Sequence, residues 1–169
     1  MIFDISAAAG SGRQYLFNLG DECSSFTGGW IASACRPPDT NVSMAPTKTV
    51  SGTTMMAKIE VSSYGRAGVV RTSNLIDLTN YKTLTFNITN TYSPDVSTGE
   101  KIKYNRVGVM ATCSGDTFTY LKYAESNVGE VTVDISSISG SYAICLAIVC
   151  NRYEVFGSSS ITVNSVYLE

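Results

Sequence analysis

The stretch Leu84-Thr-Phe-Asn-Ile-Thr89 alternates large apolar and small polar side chains without a break. Successive side chains of a β-strand point to opposite faces, so Leu84, Phe86 and Ile88 fall on one face and the polar residues on the other. A strand of this kind has one face in a hydrophobic core and the other in water. The pattern therefore predicts a strand of a layered β-structure.

Comparable strand patterns recur about every ten residues, and no window has the apolar spacing and caps of a helix. Besides 84–89, the predicted strands are 2–5, 15–18, 30–35, 53–61, 67–72, 107–112, 118–122, 131–135, 142–150 and a closing segment within 161–169. About ten strands in one sheet would leave a large apolar face exposed, so two stacked sheets are expected. The predicted fold is all-β, a two-sheet antiparallel β-sandwich of jelly-roll type.

Two short segments are interpreted as hairpin turns. Residues 62–66 are expected to join strands 53–61 and 67–72, and Ser114-Gly-Asp116 is expected to join 107–112 and 118–122. The length of 169 residues fits one domain. We expect the sandwich to span 15–169, with 1–14 as an N-terminal arm or first strand.

Charge and hydropathy argue against two classes of partner. The net charge is -2, the pI is near 5.1, and the basic residues are scattered, so nucleic-acid binding is not expected. The longest apolar run, 142–150, is about half of what a membrane-spanning helix needs, so no membrane insertion is expected. The N-terminus lacks the features of a secretory signal, which predicts synthesis in the cytoplasm.

The chain has five cysteines and no histidine, so a zinc site is not expected. Two readings of the cysteines stay open: small buried apolar residues, or a bridge between Cys23 and Cys35 across the loop that contains Trp30. Cys145 and Cys150 are five positions apart in one predicted strand. They should therefore lie on opposite faces and not bond to each other.

Catalysis is not expected. Without histidine a Ser-His or Cys-His triad cannot form, and no phosphate-binding loop is present. No cofactor is expected, although a structural Ca²⁺ ion held by loop oxygens is an alternative to plain surface acids. The candidate ligands are Asp4, Asp21 and Glu22, with Asn18 and Glu169 as further oxygen donors.

Aromatic residues in loops suggest sugar binding, because sugar rings stack on aromatic faces while polar side chains bind the hydroxyls. The candidate ligand-binding residues are Trp30, Arg36, Tyr64, Arg66, Tyr92 and Tyr104. Tyr120, Tyr123 and Tyr153 are further candidates, with Asn105 and Arg152 beside them in sequence. The alternative reading is that Trp30 is a core residue and that the tyrosines reflect β-propensity.

Four segments carry a resemblance to a known group of proteins. They are Asn18-Leu-Gly-Asp-Glu-Cys23, Thr27-Gly-Gly-Trp30, residues 73–88 with Ile76-Asp-Leu-Thr-Asn-Tyr81, and the closing residues 160–169. Over about 15–169 the chain resembles a module of phage and prophage structural proteins from Gram-positive gut bacteria, and carbohydrate-binding jelly rolls. The resemblance implies a galactose-binding-like sandwich.

The resemblance also implies a function: a bacteriophage virion component, such as a head decoration, head fibre or tail-associated protein, that adheres to host glycans. The expected partners are other virion proteins, further copies of the chain in a homo-oligomer, and host cell-surface glycans. The expected location is the virion. A stand-alone carbohydrate-binding module is the alternative, and a glycan-active enzyme would need two facing carboxylates.

Overall fold

The computed structural model describes residues 12–23, 29–38, 40, 42–61, 66–93, 105–150 and 157–169. Twelve β-strands form within these ranges. They are β1 Gln14–Asn18, β2 Trp30–Ser33, β3 Thr47–Ser51, β4 Thr54–Val61, β5 Arg66–Thr72, β6 Ile76–Asp77, β7 Thr83–Tyr92, β8 Arg106–Met110, β9 Tyr120–Glu125, β10 Gly129–Asp134, β11 Ser141–Cys150 and β12 Gly157–Leu168. These ranges contain no helix long and apolar enough to cross a bilayer.

The strands form two antiparallel sheets that pack face to face as a β-sandwich. The first sheet has the order β10-β7-β12-β4-β3, with β1 beside β4 along one edge of β12. The second has the order β2-β5-β11-β8-β9, with β6 beside β5 along one edge of β11. Most connections cross between the sheets, and only β3–β4 and β8–β9 are hairpins within a sheet. The structure thus confirms the predicted all-β, two-sheet antiparallel sandwich.

The space between the sheets is filled by the apolar face of each strand. Leu84, Phe86 and Ile88 on β7 are at most 1% exposed, as the alternation predicted. The alternation places Thr85 on the solvent-exposed face, but the structure buries it. Its hydroxyl lies 3.2 Å from that of Thr132. The long run of β11 supplies Ile144, Leu146 and Ile148 to the same core, where they form one continuous cluster with buried residues of both sheets.

One predicted hairpin is wrong. Strands β4 and β5 do not pair through 62–65; β4 pairs with β3 and β12 in the first sheet, while β5 pairs with β2 and β11 in the second. The connection therefore crosses from one sheet to the other. The predicted pairing of β8 and β9 is confirmed. The pattern also missed β3, a mostly exposed edge strand with little apolar periodicity.

A third layer covers part of the outer face of the second sheet. Loop residues around Cys35 and Phe118 lie on the outward side chains of β11, including Cys145, in a separate apolar cluster. A disulfide joins Cys35 to Cys113. The Cys23–Cys35 bridge is therefore wrong, since Cys35 has another partner.

Of the remaining cysteines, Cys145 and Cys150 are buried, as the interpretation as small apolar residues predicts, whereas Cys23 is half-buried. Cys145 belongs to the outer cluster and Cys150 to the core between the sheets, which confirms that they face opposite ways. Burial raises the pKa of Cys145 to about 12. This thiol therefore stays protonated at neutral pH.

Candidate binding groove on the outer face of the second sheet

Two side chains of opposite charge are aligned along one edge of β11. Arg71 on β5 lies opposite Cys145, and Asp77 on β6 lies opposite Ser141. Residues 141 and 145 are four positions apart, so both point to the same, outer face, about 13 Å apart at a rise of ~3.3 Å per residue. The segment that joins β5 to β6 carries Leu75 between them.

The end of the groove at Asp77 is a cavity of about 250 Å³. It is lined by Leu75, Ile76, Asp77, Asn80 and Tyr81. The lining combines two aliphatic side chains and an aromatic ring with a carboxylate and an amide. These are the groups that a sugar ring needs, since its C–H faces pack on apolar surface and its hydroxyls bind polar atoms.

The carboxylate of Asp77 is fixed by the turn that follows β6. Its Oδ1 accepts hydrogen bonds from the backbone N–H of Thr79 at 3.0 Å and from the Thr79 hydroxyl at 2.6 Å. These bonds lower the pKa of Asp77, so the group is ionised at neutral pH. Burial, and secondarily the charge of Asp77, raise the pKa of Tyr81, which keeps its phenol protonated. The cavity therefore offers both an acceptor and a donor.

The other end of the groove is a smaller cavity of about 90 Å³, lined by Arg71, Leu75, Met110, Thr112, Cys113 and Ala143. Leu75 lines both cavities and is 52% exposed. The Nη1 of Arg71 donates to the carbonyl of Thr72 at 3.1 Å, while its Nε is buried without a hydrogen-bond partner. A buried, unpaired polar group in a native fold calls for a functional or structural explanation.

The predicted metal ligands serve other contacts where they are described. The carboxylate of Glu22 binds the Lys48 ammonium at 2.5 Å, and Lys48 also donates to the carbonyl of Trp30 at 2.7 Å. The Oδ1 of Asp21 accepts from the backbone N–H of Cys23 at 3.2 Å. Asp4 lies outside the described residues. Within the described ranges, no group of three or more His, Cys, Asp or Glu side chains is arranged to hold a metal ion.

Trp30, the predicted stacking platform, is a core residue. Its side chain is 2% exposed, and its Nε1 donates to the carbonyl of Leu16 at 2.9 Å, which ties β2 to β1. In this arrangement no sugar can stack on the ring. An apolar residue at the start of a strand that faces the core is buried by the packing of the two sheets.

Arg36 forms side-chain contacts with two loops. Its Nε lies 3.1 Å from Oδ2 of Asp116, and its Nη1 donates to the carbonyl of Thr40. The Asp116 carboxylate also accepts from Ser43 at 3.2 Å. Arg36 thus holds the covering loops together next to the disulfide.

The other predicted ligand-binding residues are spread over the molecule. Arg66 begins β5, and its Nη1 lies 3.5 Å from the Met44 sulfur. Tyr92 ends β7 in the first sheet and is 54% exposed. Tyr64 and Tyr104 lie outside the described residues. None of Trp30, Arg36, Arg66 and Tyr92 lines either cavity of the groove.

A second aromatic surface lies at the β9 edge of the same sheet, formed by Arg106, Tyr120 and Tyr123. The two tyrosine rings have centroids 4.8 Å apart, and the guanidinium carbon of Arg106 lies 4.4 Å above the Tyr123 ring. Tyr123 is 48% exposed. This surface offers aromatic rings for stacking at the edge of the sheet.

The described carboxylates also bear on catalysis. The described part of the chain contains nine Asp and Glu residues. All of them except Glu125 accept a hydrogen bond or form an ion pair within the structure. These eight are Asp21, Glu22, Glu60, Asp77, Asp116, Glu130, Asp134 and Glu169. A glycosidase needs two carboxylates that face each other across the substrate. In the groove, only Asp77 is a carboxylate.

Asp77, Asn80 and Tyr81 were not predicted as site residues, although they belong to the quoted segment Ile76-Asp-Leu-Thr-Asn-Tyr81. The sequence signal that could have identified them is a group of polar and aromatic residues in the turn after the apolar pair Leu75-Ile76. The pairing of β6 with β11, which brings this turn beside Arg71, cannot be read from the local pattern.

No protein-family model matches the chain, and no curated protein matches it either. The interpretation of the groove therefore rests on its own chemistry.

Proposed function

We propose that the chain is a non-catalytic, glycan-binding component of a bacteriophage virion surface, and that the groove is its sugar-binding site. The observation that carries the proposal is the 250 Å³ cavity in which Tyr81, Asp77 and Asn80 converge beside the aliphatic side chain of Leu75. A cavity of this size is slightly smaller than the usual site for a drug-sized ligand and suits a single sugar ring.

The residues of the cavity have separable roles. The ring of Tyr81 and the side chain of Leu75 provide the apolar surface on which a sugar's C–H groups pack. The ionised Asp77 accepts hydrogen bonds from sugar hydroxyls, and the amide of Asn80 both donates and accepts. Because the turn already fixes Asp77, little side-chain entropy is lost when a sugar binds.

The disulfide supports a place of action outside the cytosol. Disulfides persist in oxidising surroundings and are rare where glutathione keeps thiols reduced. Cys35–Cys113 is therefore consistent with a protein that works on a virion after release from the cell. The resemblance of the 73–88 and 160–169 segments to phage structural modules points the same way.

The test of sugar binding is a glycan array probed with the wild-type protein and matched single variants. Tyr81→Ala and Asn80→Ala should reduce binding about tenfold or more, since each removes a contact that is made in the cavity. The controls are Tyr123→Ala and Asn90→Ala, which make the same changes at exposed positions outside the groove. Loss of binding only in the Tyr123 variant would move the site to the β9 edge and overturn the groove.

A virion component and a free binding module differ in assembly. Virion surface parts are built as closed symmetric oligomers. Light scattering at several protein concentrations should therefore give a constant mass that is a small multiple of 18.1 kDa. A clean monomer would favour the alternative function, a stand-alone carbohydrate-binding module.

A further inference from the structure

We infer that the groove selects an acidic glycan, with the Arg71 cavity binding the carboxylate of a sugar acid while a neighbouring sugar occupies the Asp77 cavity. The inference rests on the proposed function and adds the class of ligand. Its basis is the alignment of the two cavities, which share Leu75 and lie on the same face of β11.

Charge distinguishes the two ends of the groove. Among the described residues, four ion pairs are formed, by Arg13, Arg36, Lys48 and Lys58, and Arg71 is in none of them. Arg71 lines its cavity together with Leu75, Met110 and Ala143, of which the last two are at most 2% exposed. An acceptor that enters such an apolar cavity meets a cation in a low local dielectric, where the attraction is stronger than in water.

The unsatisfied Nε adds a reason for an anion at this position. In the absence of a ligand, the Nε–H of Arg71 is shielded from water and has no acceptor. A planar carboxylate can accept two N–H bonds from a guanidinium, and a small turn of the side chain would present those donors to the cavity. The Thr112 hydroxyl, on the exposed side of the same cavity, is a further donor.

The dimensions fit two linked sugars. A volume of about 90 Å³ accommodates a carboxylate and the carbon that carries it, whereas the 250 Å³ cavity holds a ring. The distance of about 13 Å between the backbones of Arg71 and Asp77 keeps the two opposite charges at separate ends, at a rise of ~3.3 Å per strand residue. A ligand with hydroxyls at one end and a carboxylate at the other complements this arrangement.

The experiment compares disaccharides that differ only at one carbon. The probes are pairs that end in glucose or glucuronate, and in galactose or galacturonate, with binding measured by calorimetry and by NMR chemical shifts. The wild type should bind the acidic member of at least one pair about tenfold more tightly. Arg71→Gln should remove that preference, so that the acidic and neutral members of the pair bind with similar affinity.

The control is Arg13→Gln, which removes the same charge just before β1 of the first sheet, where Arg13 is paired with Glu169. This variant should keep the preference for the acidic sugar. Equal binding of acidic and neutral members by the wild type, or a preference that survives Arg71→Gln, would overturn the inference while the proposed function stands. If none of the probes and no glycan on the array binds, both fail.

The fold of the Arg71 variant is not at risk from the substitution. Arg71→Gln removes the unpaired Nε donor and also the hydrogen bond from Nη1 to the Thr72 carbonyl, so the two changes offset each other and the unfolding temperature should stay close to that of the wild type. Added glucuronate should raise the unfolding temperature of the wild type and not that of the variant, since only the form that binds is stabilised.

Discussion

Asn105 uses its side-chain amide for four hydrogen bonds. It is 1% exposed, and its Nδ2 donates to the carbonyls of Tyr92 and Ser160, both at 3.0 Å. Its Oδ1 accepts from the backbone N–H of Val149 at 2.9 Å and from the hydroxyl of Ser159 at 2.8 Å. One amide thus satisfies polar groups from β7, β11 and β12 and joins the two sheets at this end of the sandwich.

Replacing Asn105 with Ala should lower the free energy of unfolding by about 3 kcal/mol, because several buried donors and acceptors lose their partners at a cost of roughly 1–3 kcal/mol each. Urea denaturation would measure the difference. Asn87→Ala is the matched control, since Asn87 lies half-buried on β7 and should change stability by about 0.5 kcal/mol or less. Similar losses in both variants would contradict a structural role for Asn105.

At this scale the sequence identifies residue types better than their roles. Asn105 and Trp30 were both grouped with sugar-binding candidates, because an amide and an aromatic ring serve sugars and cores equally well. Their burial depends on strands far away in sequence, such as the contact of Trp30 with Leu16 and of Asn105 with Ser159. The local pattern contains no information about these partners.

Two turns at one end of the sandwich have the same pattern of side-chain hydrogen bonds. Asp77 accepts from the backbone and hydroxyl of Thr79, and Asp134 accepts from the backbone at 2.9 Å and hydroxyl at 2.6 Å of Ser136. In each case an apolar residue, Leu78 or Ile135, sits between the two and is fully buried. The carboxylate fixes the turn while the apolar side chain anchors it to the core.

These turns predict a dependence of stability on pH. Their hydrogen bonds lower the pKa of both aspartates in the folded state, so the stabilisation is present above the unfolded pKa of about 4 and is lost as the pH falls through the lowered value. Asp77→Asn/Asp134→Asn should be less stable than the wild type at pH 6, and the difference should shrink towards pH 2. Urea midpoints across this range measure it. A difference that stays constant with pH would refute the explanation.

At the scale of elements, alternation predicted most strands but not their irregularities. The register of β8 with β9 shifts between Val109 and Met110, so that Tyr120 and Tyr123, three residues apart, both point outward. A regular strand would place them on opposite faces. Next to the shift, the backbone of β9 comes so close to Gly108 that an added Cβ would lie 2.3 Å from the carbonyl oxygen of Lys122. Such a local irregularity is set by tertiary contact and not by periodicity.

At the scale of the whole molecule, the covering layer depends on one covalent link. Cys35 and Cys113 are 78 positions apart, and their disulfide joins the loop after β2 to the segment between β8 and β9. Hydrogen bonds from Arg36 and Phe118 backbone groups continue the same contact. The link restricts a long loop in the unfolded chain, which is the main way that a disulfide stabilises a fold.

Reduction of the disulfide should lower the free energy of unfolding by about 2–4 kcal/mol. Urea denaturation with and without a reductant measures this effect. The double variant Cys35→Ser/Cys113→Ser should be as unstable as the reduced wild type and insensitive to the reductant. A wild type whose midpoint is unchanged by reductant would show that the covering layer holds without the link.

The general architecture could be predicted because ten-residue spacing and strict alternation allow few alternatives to a sandwich. The pairing of strands could not, because most neighbours are distant in sequence: β1 pairs with β12, and β5 with β11. The groove shares this limit. It joins residues of β5, β6, β8 and β11, so only the assembled second sheet brings Arg71 and Asp77 to one face.

The central positions of β11 and β12 have a consequence for how the chain is made. Each forms the middle of a sheet, yet they are the final two strands in sequence order. During translation, the strands that flank β11 and β12 leave the ribosome first. Their edges stay unpaired until β11 and β12 emerge. Neither sheet can close during most of translation, and a chain cut short before β12 would carry strands without a centre, the kind of exposed edge that chaperones bind and that otherwise aggregates.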